Sequence, residues 1–268
     1  MRYCRFESNN EHHYGLVEPI AGRDMITRLL LMPPGSDEPM DELPTRKIEH
    51  ISLAEAKLLA PTLPSKIICV GRNYSEHAKE LGHEVPTELL IFLKPPSSIL
   101  GPAKQIRRPP DSQHVDHEAE LGVIIGKRCR HLKDDQDVKE FIRGYTAVND
   151  VTARDLQQND NGRFTRAKGF DTFRPVGPLV TDEIDPWAGV NVGCRVNGEV
   201  RQQGNTRDLL FPLDAIIRYV ARIMTLFPGD LIATGTPPGV GQLKAGDVVE
   251  VSVEGVGALV NPVVDDIS

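Results

Sequence analysis

The segment His117-Glu118-Ala119-Glu120-Leu121-Gly122-Val123-Ile124-Ile125-Gly126 runs two carboxylates into an apolar stretch. In a strand, side chains alternate with a period of two, so Glu118 and Glu120 project from one face. Paired acids at the head of an apolar strand repel each other and resist desolvation. A divalent cation would offset both costs, and a frayed, solvated strand start would avoid them. Asp150 ends the run Gly144 to Asp150, just before a segment from Val151 to Gln157 that reads as a short helix, and it adds a third carboxylate at a strand end. Three carboxylates without His or Cys ligands favour a hard ion, Mg²⁺ or Mn²⁺ ahead of Ca²⁺, over zinc. Acidic triples also arise by chance, so the spacing alone leaves the solvated alternative open.

A second constellation lies in Gly71-Arg72-Asn73-Tyr74-Ser75-Glu76-His77-Ala78-Lys79-Glu80-Leu81-Gly82. Ser75 can cap a short helix that Gly82 ends, and His77 and Glu80, three apart, then share a face. A carboxylate beside an imidazole orients it and makes it a better base, although the same pair on a solvated helix needs no function. Lys168, in the loop-like stretch Arg166 to Asp171, could neutralise a substrate carboxylate or a developing enolate, or simply be solvated. Thr234 to Gly241 is glycine-rich but lacks the order of a P-loop; it could offer the Thr236 hydroxyl and backbone N–H groups to an anion. His12 and His13 have no partner at helical or strand spacing.

These residues need a scaffold, and the pattern is β-rich. Short strand-like runs occur at 67–70, 89–93, 121–125, 144–148, 192–196, 231–233 and 248–253. Asn197-Gly198 between two of them predicts a two-residue type I′ hairpin. One helix is expected from about Pro212 to Thr225, where Leu213, Ile216, Ile217, Val220 and Ile223 repeat at helical spacing. Pro33 to Pro44 is proline-rich and acidic, hence a loop; an amphipathic stretch, Leu53 to Leu59, follows, and composition shifts near Leu63. Strands do not alternate regularly with helices, which argues against a doubly wound fold.

The chain has 268 residues and a formal charge of −7, which argues against a nucleic-acid partner. No run approaches the roughly 18 apolar residues of a membrane helix, and Met1 to Cys4 do not open a signal peptide, so a cytoplasmic protein with no membrane partner is expected. Cys4, Cys69, Cys129 and Cys194 lie far apart and read as reduced, buried thiols.

In order along the chain, GRNYSEHAKE (71–80), FLKPPSS (92–98), DHEAELGVIIG (116–126), NDVTARDLQ (149–157), AKGFDTFRPVGP (167–178), VNGEVRQQGNT (196–206) and FPGDLIATGTPPGVG (227–241) resemble the fumarylacetoacetate hydrolase superfamily. The likeness is to its small acylpyruvase, oxaloacetate decarboxylase and diene-dioate isomerase branch, and it spans about 65–262. It implies an α+β, β-rich fold, a mixed β-roll over 65–268 preceded by a small N-terminal domain over 1–64, and a homodimer. It also implies Mg²⁺ or Mn²⁺ on Glu118, Glu120 and Asp150, a His77–Glu80 dyad on a lid from Arg72 to Gly82, a catalytic Lys168, and substrate contacts from Arg72, Gln157 and Thr236. The implied activity is metal-dependent C–C hydrolysis of an acylpyruvate or related 2,4-dioxo acid through a metal-bound enolate. Oxaloacetate decarboxylation and 2-hydroxyhepta-2,4-diene-1,7-dioate isomerisation are the alternatives, and a non-catalytic binding protein is the reading from outside enzymology. The lysine segment reads K-G-F-D where some relatives have K-S-F-D, which removes any hydrogen bond from a serine there.

Overall fold

The structure, a computed structural model, describes residues 1–34, 39–80, 82 and 84–266. Strands β1 (Arg2–Ser8), β2 (Glu11–Ile20), β3 (Arg23–Leu30) and β4 (Thr45–Ser52) form an antiparallel meander, and β5 (Lys57–Leu59) pairs with β1. Next come β6 (Ile67–Gly71), helix α1 (Ser75–Glu80), β7 (Leu90–Lys94), β8 (Ile99–Leu100), β9 (Ile106–Arg108), β10 (Val115–His117), β11 (Ala119–Ile125) and β12 (Ile142–Asn149). Then follow β13 (Thr152–Ala153), the short helices α2 (Arg154–Asn159) and α3 (Phe164–Lys168), β14 (Arg174–Thr181), and the hairpin β15 (Asn191–Val196) and β16 (Glu199–Asn205). Helix α4 (Leu213–Ile223) and strands β17 (Leu231–Ala233), β18 (Gly241–Gln242), β19 (Val248–Val253) and β20 (Gly257–Asp265) complete the described chain.

A 12-stranded sheet has the order β4-β3-β2-β1-β14-β12-β11-β17-β6-β7, with β5 on β1 and β8 on β14. Most pairings are antiparallel, but β6 with β17 and β8 with β14 are parallel, so the sheet is mixed. A five-stranded sheet, β16-β15-β19-β20-β9, packs on its centre. Val192, Val249, Val251 and Leu259 from that sheet share one core with Val123, Ile125 and Ala147 from the large one. This explains the local sequences: β11, covered on both faces, is apolar almost throughout, whereas β19 alternates buried and exposed residues. The architecture is the expected β-rich α+β one, a mixed large sheet packed on a smaller one, with a small N-terminal unit formed by the β1–β4 meander.

The hairpin turn has φ +53° at Asn197 and +82° at Gly198, as a type I′ turn requires. Helix α4 buries Leu213, Ile216, Ile217 and Val220 on one stripe, each contributing roughly 1.5–3 kcal/mol of apolar burial. All four cysteines are free and buried. No helix among the described residues is long and apolar enough to cross a membrane.

Two sequence expectations need correction. The segment after Asp150 first forms the short strand β13, because Val115 and Asp116 of β10 offer it a ladder, and only then the helix α2. Lys168 closes helix α3 rather than lying in a loop. The amphipathic stretch 53–59 is a turn followed by β5, which pairs with β1. The N-terminal meander joins the large sheet through β1, where Arg2 and Tyr3 pair with Thr181 and Val180 of β14. Residues 35–38 of the expected loop and residue 81 of the expected lid lie outside the described residues.

Candidate metal and 2-oxo acid site

The three carboxylates converge because of backbone register. Glu118 falls in the break between β10 and β11; its N–H donates to Asn149 Oδ1 at 2.9 Å, and the Asp150 N–H donates back to the Glu118 carbonyl at 2.8 Å. Pairing of Ala119 with Asn149 and of Glu120 with Val148 then sets Glu120 beside the end of β12, where Asp150 follows. Glu118, Glu120 and Asp150 are all buried, and one oxygen from each lies within 4.8 Å of the others.

Burial of such a cluster requires compensating cations. Lys168 Nζ donates to Glu118 Oε2 and Asp150 Oδ2, both at 2.8 Å. Lys94 Nζ, at the end of β7, donates to Asp150 Oδ1 at 2.6 Å and to the carbonyls of Val151 and Phe173. The Arg174 guanidinium reaches Asp150 Oδ1 at 2.9 Å and Cys69 Sγ at 2.8 Å. Arg154 spans Asp116 Oδ2 at 2.9 Å, Glu118 Oε1 at 2.5 Å and Gln157 Oε1 at 2.6 Å.

The carboxyls therefore diverge. Burial opposes ionisation at Glu118, yet Lys168 and Arg154 hold it down at about 2. Burial likewise works against Asp150, and Arg174, Lys168 and Lys94 together pull it far below the ordinary carboxylate range. Glu120 goes the other way, to about 8, through burial and the neighbouring Asp150 charge. Its Oε2 accepts the Gly235 N–H at 2.9 Å, but among the described residues no cation donates to it. A divalent ion fits here: the donors are all hard oxygens, their spread matches a shared ion with bonds of roughly 2.0–2.6 Å, and Glu120 is short of positive charge.

The dyad sits over this cluster. His77 Nδ1 lies 3.1 Å from Glu80 Oε2, and Glu80 Oε1 accepts the Gly239 N–H at 2.9 Å. A carboxylate acceptor places the proton on Nδ1, which leaves Nε2 free as a base. Asn73 anchors α1: its amide donates to the carbonyls of Phe211 and Thr234, and its Oδ1 accepts the Phe211 N–H. Gly235, at φ +104°, permits this approach, since a Cβ there would lie 2.7 Å from Asn73 Cβ.

One cavity is lined by Arg72, His77, Glu118, Glu120, Asp150, Gln157, Lys168 and Thr236, so every expected site residue except Glu80 opens onto it, and Glu80 touches it through His77. Thr236 lines the cavity with its hydroxyl already hydrogen-bonded within the protein. Its hydroxyl donates to the Ala119 carbonyl at 2.8 Å and accepts from Gln202, while the loop N–H of Gly235 is taken by Glu120. The Thr236 hydroxyl proton is therefore engaged, and the hydroxyl meets a ligand as an acceptor. Lys94, Arg154, Arg174 and the stacked pair Phe92–Phe164, 4.3 Å apart, escaped the sequence reading. The signal for Lys94 was a lysine ending an apolar strand; Arg174, far from the acids in sequence, gave none.

The model of the fumarylacetoacetate hydrolase C-terminal family matches residues 66–264. The chain belongs to the fumarylacetoacetate hydrolase family. A second model, described as Rv2993c-like, N-terminal, matches residues 1–61. The mitochondrial oxaloacetate tautomerase of Rattus norvegicus is 39% identical over an alignment of 290 residues, covering 98% of this chain and 92% of its own. The 5-carboxymethyl-2-hydroxymuconate delta-isomerase of Mycobacterium smegmatis superposes with TM-score 0.88 at 39% identity, over 99% of this chain and 100% of its own. The fumarylpyruvate hydrolase of Pseudomonas aeruginosa, solved with Mn²⁺ and pyruvate, gives TM-score 0.71 at 30% identity, over 76% and 91%. Family members are divalent-metal-dependent enzymes acting on small 2-oxo acids and their relatives, and this site fits that class.

Proposed function

We propose that this chain is a divalent-metal-dependent enzyme that forms the enolate of a small 2-oxo acid, and that keto–enol conversion of oxaloacetate is its main reaction. The observation that carries the reading is the convergence of the His77–Glu80 dyad, Lys168 and three carboxylates on one cavity. Mg²⁺ or Mn²⁺ held by Glu118, Glu120 and Asp150 would polarise a 2-oxo carboxylate that chelates it. His77 Nε2 takes a proton from C3; the C–H electron pair becomes the C2–C3 double bond, and negative charge moves to the C2 oxygen. The Lys168 ammonium, buried and fixed, stabilises that charge without reorganising. Glu80 holds the tautomer and supports the imidazolium that forms. Return of a proton to carbon or to oxygen gives the keto or the enol form. The likeness to a tautomerase along nearly the whole chain favours this reaction.

Hydrolysis of an acylpyruvate is the second reading, favoured by the likeness to a fumarylpyruvate hydrolase. Here His77 takes a proton from water, hydroxide adds to the distal carbonyl, and the C3–C4 bond breaks to leave pyruvate enolate and a carboxylic acid. Decarboxylation and diene-dioate isomerisation pass through related enolates. The test is product identification by NMR and enol absorbance with oxaloacetate and acetylpyruvate, each with Mg²⁺ or EDTA. Metal-dependent enol–keto conversion supports the main reading, acetate plus pyruvate supports hydrolysis, and no metal-dependent turnover of either substrate overturns both.

A further inference from the structure

We infer that Arg72 recognises a second carboxylate on the substrate, so that the chain selects 2-oxo dicarboxylic acids over acylpyruvates with uncharged tails. This deepens the 2-oxo acid reading above and rests on it.

Asp116, Glu118 and Asp150 are each hydrogen-bonded to a cation, and the donors are Lys94, Arg154, Lys168 and Arg174. Lys94, Arg154 and Arg174 are thereby committed to the protein's own acids, and Lys168, bonded to Glu118 and Asp150, serves the charge arising at C2 in the reaction proposed above. Arg72 lines the same cavity, half-buried, and among the described residues no carboxylate pairs with it. A half-buried guanidinium on a cavity wall with no carboxylate of the protein beside it can take a ligand anion. Burial lowers its pKa from the ordinary value with no carboxylate to offset the effect, whereas Asp116 and Glu118 more than offset burial at Arg154. Much of the remaining wall is apolar, with Val70 beside the Phe92–Phe164 stack. A bound divalent ion and Lys168 answer the chelating carboxylate and the charge arising at C2. A dicarboxylate carries one negative charge more, and Arg72 supplies its counterpart.

The backbone fixes Arg72 in this place. It adopts φ +55°, a conformation uncommon outside glycine that persists only where neighbours enforce it. The enforcement comes from Asn73, whose side chain and carbonyl make four hydrogen bonds to Phe211, Thr234 and Leu210.

Calorimetric binding to the Mg²⁺-loaded protein separates the possibilities. The probes are 3,3-difluorooxaloacetate, which has no C3 proton, and trifluoropyruvate, which shares the chelating end but lacks the second carboxylate. Wild type should prefer the diacid by about tenfold to a hundredfold, the worth of one charge-assisted pair. Arg72→Gln should lose that preference while keeping its affinity for trifluoropyruvate. Arg72→Lys should keep only part of it, because the bidentate fork is gone. Should Arg72→Gln not fold, the lysine variant decides, and an undiminished preference there overturns the inference. Equal binding of both probes by wild type also overturns it but leaves the 2-oxo acid reading standing; binding of neither overturns both.

Discussion

Lys168 Nζ stands 2.8 Å from both Glu118 Oε2 and Asp150 Oδ2, so one buried ammonium bridges two of the three carboxylates that would hold a cation. Lysine and divalent ion thus share the same acids, and their positive charges repel each other. In Lys168→Met the carboxylates lose a competitor. Mn²⁺ affinity measured by calorimetry should be equal or higher than in wild type, while kcat falls by about 10²–10³, the usual loss for one charge-stabilising donor. A parallel fall in Mn²⁺ affinity would mean that Lys168 supports the metal site rather than the reaction.

His77→Ala should lower kcat by about 10²–10⁴ and leave Mn²⁺ binding unchanged. Glu80→Gln should lie between it and wild type, since glutamine can accept the Nδ1 proton but supports the imidazolium less well. Steady-state kinetics beside metal titration checks both; full activity in His77→Ala would remove it as the base.

Much of this was legible in the sequence because the signals were local. A period-two pair of acids, an i,i+3 dyad and an Asn-Gly turn each follow from neighbours in the chain, and Glu118, Glu120, His77 and Asn197 were found that way. What the sequence hid depends on distant pairing. Arg174 reaches Asp150 only because β14 lies beside β12 in the sheet, and β13 formed where a helix was expected because β10 offers it a ladder. Thr236 looked like a donor until its hydroxyl proved to be engaged by a strand more than a hundred residues earlier in the chain.

The cations beneath Asp150 lead to a stability prediction. Arg174 is fully buried, and removing one partner of a buried ion pair leaves the other uncompensated, at a cost of about 3–5 kcal/mol. Arg174→Met should lose about that much in denaturant unfolding. Saturating Mg²⁺ should restore part of it, because an ion binding only the folded state stabilises that state and returns positive charge to Asp150. No recovery with Mg²⁺ would separate Asp150 from the metal site.

The cysteines predict alkaline sensitivity. Burial pushes the thiols of Cys4, Cys69 and Cys194 up to about 12 and that of Cys129 to about 11. Unfolded thiols ionise near 8.5–9, so the folded state holds more protons between roughly pH 9 and 11. Stability is therefore full below pH 9 and falls as pH rises through that window. Native protein at pH 8 should leave a thiol reagent unconsumed until denaturant is added; rapid labelling of native protein would contradict the burial.

Enolate formation is common to tautomerisation, hydrolysis and decarboxylation, so it is the step to measure first. Pyruvate in D₂O, followed by loss of its methyl proton signal in NMR, reports that step without any bond to carbon other than C–H being broken. Wild type with Mg²⁺ should exchange the methyl protons far faster than buffer, and EDTA, Glu118→Ala and His77→Ala should each abolish the acceleration. Exchange that survives EDTA or Glu118→Ala, or no acceleration by the metal-loaded wild type, would contradict a metal-dependent, enolate-forming site.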